Sequence, residues 1–138
     1  MSMQLHASCI VIQGKGVLLL GDSGSGKSDL AIRLMSRGAM LVADDQVEIT
    51  LANQTLYASP PATLRGMVEA RGVGIMHVPY VELVPLALAV KLVPRDAVER
   101  MPEPAFFDCL GAKLPLLSLH AFDLSTADKI CLWLEYGA

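Results

Sequence analysis

The chain of 138 residues is 53% apolar and 18% charged, which excludes a disordered polymer and fits one folded domain over residues 1–138. The net charge of −3, with no basic stripe, counts against nucleic acid as a partner, and no apolar run approaches the ~18 residues that cross a bilayer. The three cysteines (Cys9, Cys109, Cys131) form neither a disulfide framework nor a Cys-x-x-Cys metal pattern, and Met1 to Ser8 lacks signal-peptide regions, so a cytoplasmic protein is expected.

Ala7 to Gln13 and Val17 to Leu20 are apolar runs joined by Gly14-Lys15-Gly16, the pattern of a hairpin. Next comes Gly21-Asp22-Ser23-Gly24-Ser25-Gly26-Lys27-Ser28, which fits the phosphate-loop pattern G-x-x-x-x-G-K-[ST] at every fixed position. The run before it reads as a buried strand. Ser28 to Arg37, closed by Gly38, reads as a helix with Leu30, Ile32, Leu34 and Met35 on its buried side. Within that frame the glycines let main-chain N–H groups approach phosphate oxygens, and the helix dipole favours the same anion. Lys27 would reach the β- and γ-phosphates, and the Ser28 hydroxyl would ligate Mg²⁺. A Gly/Ser-rich loop can match by chance, but the flanks make a nucleotide or another polyphosphate the expected ligand.

Met40-Leu41-Val42-Ala43 is a short buried strand running into Asp44-Asp45, where a phosphate-loop site needs a carboxylate. Adjacent aspartates on a continued strand point to opposite sides, so one would serve the metal and the other would accept a proton. Asp-Asp-Gln is also an ordinary polar turn. Val47 to Leu51 and Thr55 to Tyr57 form a second hairpin around Ala52-Asn53-Gln54, and Pro60-Pro61 opens a helix from Ala62 to about Glu69. Arg71-Gly72-Val73-Gly74 is a loop before the strand Ile75 to Val78. Glu69 and Arg71 there could complete a metal shell or clamp a phosphate, or form an exposed helix-end pair. A longer strand lies within Leu86 to Val93, and Pro94 to Pro104 is a mobile surface segment. Leu114 to Leu119 is a last strand. Ser125 or Thr126 caps a C-terminal helix to Glu135, with Ile130, Leu132, Trp133 and Leu134 facing inward. His6, just before the first strand, is unremarkable by itself.

Together these pieces resemble the catalytic domain of bacterial HPr kinase/phosphorylase. The resemblance rests on His6, on Gly21 to Asp29, on Arg37-Gly38-Ala39-Met40-Leu41-Val42-Ala43-Asp44-Asp45-Gln46-Val47-Glu48-Ile49, and on Glu69-Ala70-Arg71-Gly72-Val73-Gly74-Ile75. It covers roughly residues 6 to 78. It implies an α/β fold with a phosphate-loop core like that of phosphoenolpyruvate carboxykinase, a mixed sheet flanked by helices. It implies a kinase that uses ATP or pyrophosphate, with Mg²⁺, to phosphorylate a serine of the carrier protein HPr in phosphotransferase-system regulation. In the family the same site removes that phosphate with inorganic phosphate, and members commonly form hexamers. Carried onto this chain, Lys27 binds the β/γ-phosphates, Ser28 and Glu69 serve Mg²⁺, Asp45 exchanges the serine proton with support from Asp44, and His6 lies at the active site.

Two departures qualify the resemblance. The family's N-terminal domain does not precede His6 here, which fits a short form of the family. The family's Tyr-Asp-Arg element aligns with Phe107-Asp108-Cys109, placing cysteine where an active-site arginine is expected, and the later Pro-x-Arg-Pro-Gly-Arg stretch is not evident around Leu114-Pro115-Leu116-Leu117. Weak dephosphorylation with retained kinase chemistry is therefore expected. The rival expectation is a non-catalytic module that binds ATP and then a partner protein, and a small-molecule kinase is a more distant third.

Overall fold

The computed structural model describes residues 1–137. Strands β1 (Ser2–Leu5), β2 (Ser8–Ile12) and β3 (Lys15–Leu20) precede helix α1 (Lys27–Met35), and β4 (Met40–Ala43), β5 (Val47–Ala52) and β6 (Thr55–Ser59) follow it. A ribbon of β7 (Met67–Ala70) and β8 (Gly74–His77) comes next, then β9 (Val84–Leu92), β10 (Ala105–Cys109), β11 (Ala112–Leu119) and helix α2 (Thr126–Tyr136).

Strand β3 carries the phosphate loop at its end and lies between β2, antiparallel, and β9, parallel. Strand β4 pairs antiparallel with the far edge of β2, so the ends of β3 and β4 are separated by one strand. Strand β9 also takes β6 antiparallel at Val84 and Pro85 and β11 parallel over Ala89 to Leu92. With β5 on β6, β1 on β5 and β10 on β11, the described residues form one mixed sheet of nine strands, beside the two-stranded ribbon. This is the mixed α/β architecture expected from the sequence.

Alternate side chains of β2 and β3 go to opposite faces of the sheet. Ile10, Val17 and Leu19 pack with Leu30 and Leu34 of α1 and with Ile130 and Leu134 of α2. Cys9, Val11 and Leu18 pack with Val42, Ile49 and Leu56 on the other face. Because both faces are covered, these strands read as unbroken apolar runs, and each fully buried Leu or Ile contributes roughly 1.5–3 kcal/mol. That double burial anchors the start of the phosphate loop.

Several expectations need correction. The helix expected over Ala62 to Glu69 is a single 3-10 turn, Ala62–Leu64, followed by β7. Gly66 explains the change: its φ of 67° lies in the left-handed region and ends any helix, and its carbonyl accepts the Val78 N–H at 2.8 Å, starting the ribbon instead. Glu69 therefore sits on a strand. His6 lies between two strands rather than before the first, since β1 adds to the sheet through β5. The chain also forms β10, which was not anticipated. Of the four α2 side chains expected to face inward, Ile130 and Leu134, four residues apart, are buried, Trp133 is half-buried and Leu132 is exposed. Ser125 is the N-cap residue without a side-chain cap bond, and the Thr126 hydroxyl donates to the His120 carbonyl. Helix α1 closes at Met35, two residues short of Arg37.

Candidate active site

The turn from β3 into α1 wraps around the ammonium of Lys27. Lys27 Nζ donates to the carbonyls of Gly21 at 2.8 Å and Asp22 at 2.9 Å, and the side chain is buried at the helix start. Ser25 N–H donates to the Asp22 carbonyl at 3.0 Å, which closes the loop. Gly26 shows why the pattern demands glycine. Its φ is 101°, and a Cβ there would lie 2.6 Å from the Ala121 Cβ and 2.8 Å from the Phe122 ring. The loop is thus pressed against the segment before α2, an approach only glycine permits.

Across the loop, β4 ends at Ala43 and delivers the two aspartates to different environments. Asp44 is buried, with Oδ1 accepting from Ser8 Oγ at 2.9 Å and Ser28 Oγ at 2.6 Å, and Oδ2 accepting from the Glu69 N–H at 3.1 Å. Three donors thus meet this one desolvated carboxyl group, as burial of a polar group requires. Asp45 turns outward with φ of 70°, a strained setting for a non-glycine residue, and the Gln46 N–H donates to the Asp44 carbonyl at 2.8 Å. Its carboxylate accepts from His6 Nε2 at 2.7 Å, and both side chains are solvent-exposed. The aspartates do divide between two positions, through this tight turn rather than a continued strand.

Ser8 links the two. Its hydroxyl donates to Asp44 and accepts the Asp45 N–H at 3.2 Å, while the residue itself is fully buried in β2. Sequence reasoning passed over Ser8; the available signal was a hydroxyl inside an apolar strand, where burial demands a partner.

A cleft of about 430 Å³ joins these parts. Ser23, Gly24, Gly26, Lys27 and Ser28 line it on the loop side, Asp44, Asp45, Glu69 and Arg71 on the other. Asp29, Ile32 and Phe122 complete it, none of them anticipated as site residues. His6 touches the site through Asp45. Gly21, Asp22 and Ser25 belong to the loop but not to this cleft's lining; Asp22 and Ser25 face a second cleft on the loop's other side.

Among the described residues no group of three His, Cys, Asp or Glu side chains is arranged to hold a metal ion alone. That is compatible with Mg²⁺, which is commonly bound by one or two protein oxygens together with substrate phosphates. The paired oxygens of Ser28 and Asp44, with Glu69 on the same cleft, are hard donors of the kind Mg²⁺ takes. Cys109 lies outside the cleft: it is buried in the core with its Sγ 3.5 Å from Met3 Sδ, and burial pushes its thiol pKa up.

The model of the HPr Serine kinase C-terminal domain family matches residues 1–81. An HPr kinase/phosphorylase of Caldicellulosiruptor bescii is 46% identical over 74 residues, 53% of this chain and 24% of that protein. One of Caldanaerobacter subterraneus subsp. tengcongensis is 40% identical over 111 residues, 78% of this chain and 36% of that protein. The chain thus spans about a third or less of the curated relatives it matches. Among solved structures, the Hpr(Ser) kinase/phosphatase of Coxiella burnetii superposes with a TM-score of 0.85 at 25% identity, covering 96% of this chain and 88% of that one.

Proposed function

This chain belongs to the HPr serine kinase C-terminal domain family, and from that premise we propose that it is a Mg²⁺-dependent kinase transferring the γ-phosphoryl group of ATP to a serine of HPr or a similar carrier. The observation that carries this reading is the placement of the Asp45–His6 pair on the rim of the cleft that holds Lys27, Ser28 and buried Asp44. A nucleotide's phosphates seated on the loop amides would meet Lys27 from one side and a serine hydroxyl arriving past Asp45 from the other. Asp45 takes the hydroxyl proton as the serine oxygen bonds to phosphorus and ADP departs. The His6 hydrogen bond holds that carboxylate in position, and the strained φ of Asp45 keeps it facing outward. Asp44, held by three donors, orients the Ser28 hydroxyl. Bound Mg²⁺ would neutralise charge building on the phosphate oxygens. Arg71, exposed on the same cleft, is placed to meet an anionic group of substrate or carrier.

On the alignment that puts Cys109 where the family has an arginine, kinase chemistry is favoured over phosphate-driven dephosphorylation. Assembly into a homo-oligomer such as a hexamer fits the exposed Val73, Ile75 and Met76 on the β7–β8 ribbon. Cytoplasmic placement accompanies this role. Incubation of the protein with γ-labelled ATP, Mg²⁺ and HPr tests the reading. Label on a carrier serine supports it; tight ATP uptake without transfer replaces it with a nucleotide-sensing module.

A further inference from the structure

The phosphate loop has a cleft on each side. The second, of about 330 Å³, lies between the loop at Ser25, the segment just after β9 at Val93 and Pro94, and the rings of His120 and Phe122. Ser23, Gly24 and Phe122 line both clefts, so a ligand whose phosphates occupy the first extends naturally into the second. Its volume suits one small aromatic group, near the lower end of the about 300–1,000 Å³ typical of small-molecule sites.

The walls of this cleft are tied in place. Arg33 of α1 donates to the carbonyls of Ala121 and Asp123, which flank Phe122. Arg95, after β9, pairs with the Asp123 carboxylate at 2.6 Å, which holds that carboxyl below its usual range. The Thr126 hydroxyl holds the His120 carbonyl. Phe122 and His120 meet edge to face, ring centroids 5.8 Å apart at 71°. Two aromatic rings at the mouth of a phosphate-binding loop form a stacking site for another flat ring.

The polar atoms on the wall opposite the loop are selective. His120 Nδ1 lies 2.9 Å from the Val93 carbonyl, which can only accept, so Nδ1 is the donor there, and in that tautomer Nε2 is an acceptor. The Val93 N–H already donates to the Leu119 carbonyl at 2.9 Å, and Pro94 has no N–H. An exocyclic amino group finds an acceptor on this wall, whereas a carbonyl at the same position faces another acceptor.

We propose that this second cleft binds the base of the nucleotide, with Phe122 stacking on it and His120 Nε2 selecting a 6-amino purine over a 6-oxo purine. The proposal rests on the phosphate-loop reading above and goes beyond it. Calorimetric titration with the Mg²⁺ complexes of ATP, inosine triphosphate and pyrophosphate separates the two. Inosine triphosphate carries an oxo group in place of the 6-amino group of ATP, together with a proton on N1. ATP is expected to bind about tenfold more tightly than inosine triphosphate, the worth of one unmatched hydrogen bond. His120→Ala should bring the two triphosphates to within about threefold of each other, and Phe122→Ala should weaken both by about tenfold or more. Pyrophosphate affinity should stay unchanged in His120→Ala, which lies outside the first cleft. Equal affinity of the wild-type protein for the two triphosphates, or a preference that survives in His120→Ala, overturns the base site while pyrophosphate binding leaves the phosphate loop standing. No uptake of pyrophosphate or either triphosphate overturns both. The wild-type comparison alone decides the question should a variant fail to fold.

Discussion

Asp45 combines a left-handed backbone, an exposed carboxylate and a histidine partner, while its neighbour Asp44 is buried and saturated with donors. Two identical side chains thus acquire different chemistry from one peptide turn. Asp45→Ala should lower phosphoryl transfer by about 10²–10⁴-fold, the range for losing a general base, while the dissociation constant for ATP changes little. Loss of ATP binding in a folded Asp45→Ala protein would make that residue a binding group instead. Ser8→Ala tests the link between the aspartates. It leaves the Asp45 N–H without its partner and removes one of the two donors to Asp44 Oδ1, and urea denaturation should show a loss of about 1–3 kcal/mol. An unchanged midpoint would mean that the link carries no stability. The aspartates were legible because they follow a short buried strand behind a phosphate loop. Ser8 was not: its role depends on β2 lying between β3 and β4, a pairing that no local pattern in residues 8–12 announces.

The decisive element is the strand–loop–helix unit formed by β3, the loop and α1, and nearly all of it could be read from residue spacing. Fixed glycines, a terminal lysine and a doubly buried strand leave few alternatives. Gly26→Ala probes the unit at its tightest point. The new methyl group would meet Ala121 and Phe122 while forcing alanine into a positive φ. Equilibrium denaturation should register about 1–3 kcal/mol of lost stability, together with weakened nucleotide binding. Wild-type stability in that variant would show that the loop sits farther from the segment before α2. Elsewhere local signals misled. Pro60-Pro61 suits a helix start, but Gly66 and the pairing of Val68 with Met76 made the segment a ribbon. Strand β1 is short and pairs with β5, distant in sequence, so its pairing, rather than its own composition, defines it; β10 joins β11 through the tight turn at Leu110-Gly111.

At the scale of the molecule, the site draws on three distant stretches: residues 6–45, the ribbon carrying Glu69 and Arg71, and the segment at Phe122. The first two were visible as motifs. The third was not, since Phe122 reaches the phosphate loop only because β11 runs parallel to β9 beside β3 and returns the chain to Gly26. The central sheet therefore does more than bury apolar surface; it brings one cleft to each side of the loop.

On the proposed function, the Lys27 loop grips a polyphosphate chelated by Mg²⁺. Equilibrium dialysis of the wild-type and Lys27→Ala proteins against labelled ATP, with and without Mg²⁺, measures this directly. Mg²⁺-dependent uptake is expected for the wild-type protein and at least about tenfold weaker uptake for Lys27→Ala, as a lost charge-assisted hydrogen bond requires. Binding that ignores both Mg²⁺ and Lys27, or no binding by the folded wild-type protein, would contradict it.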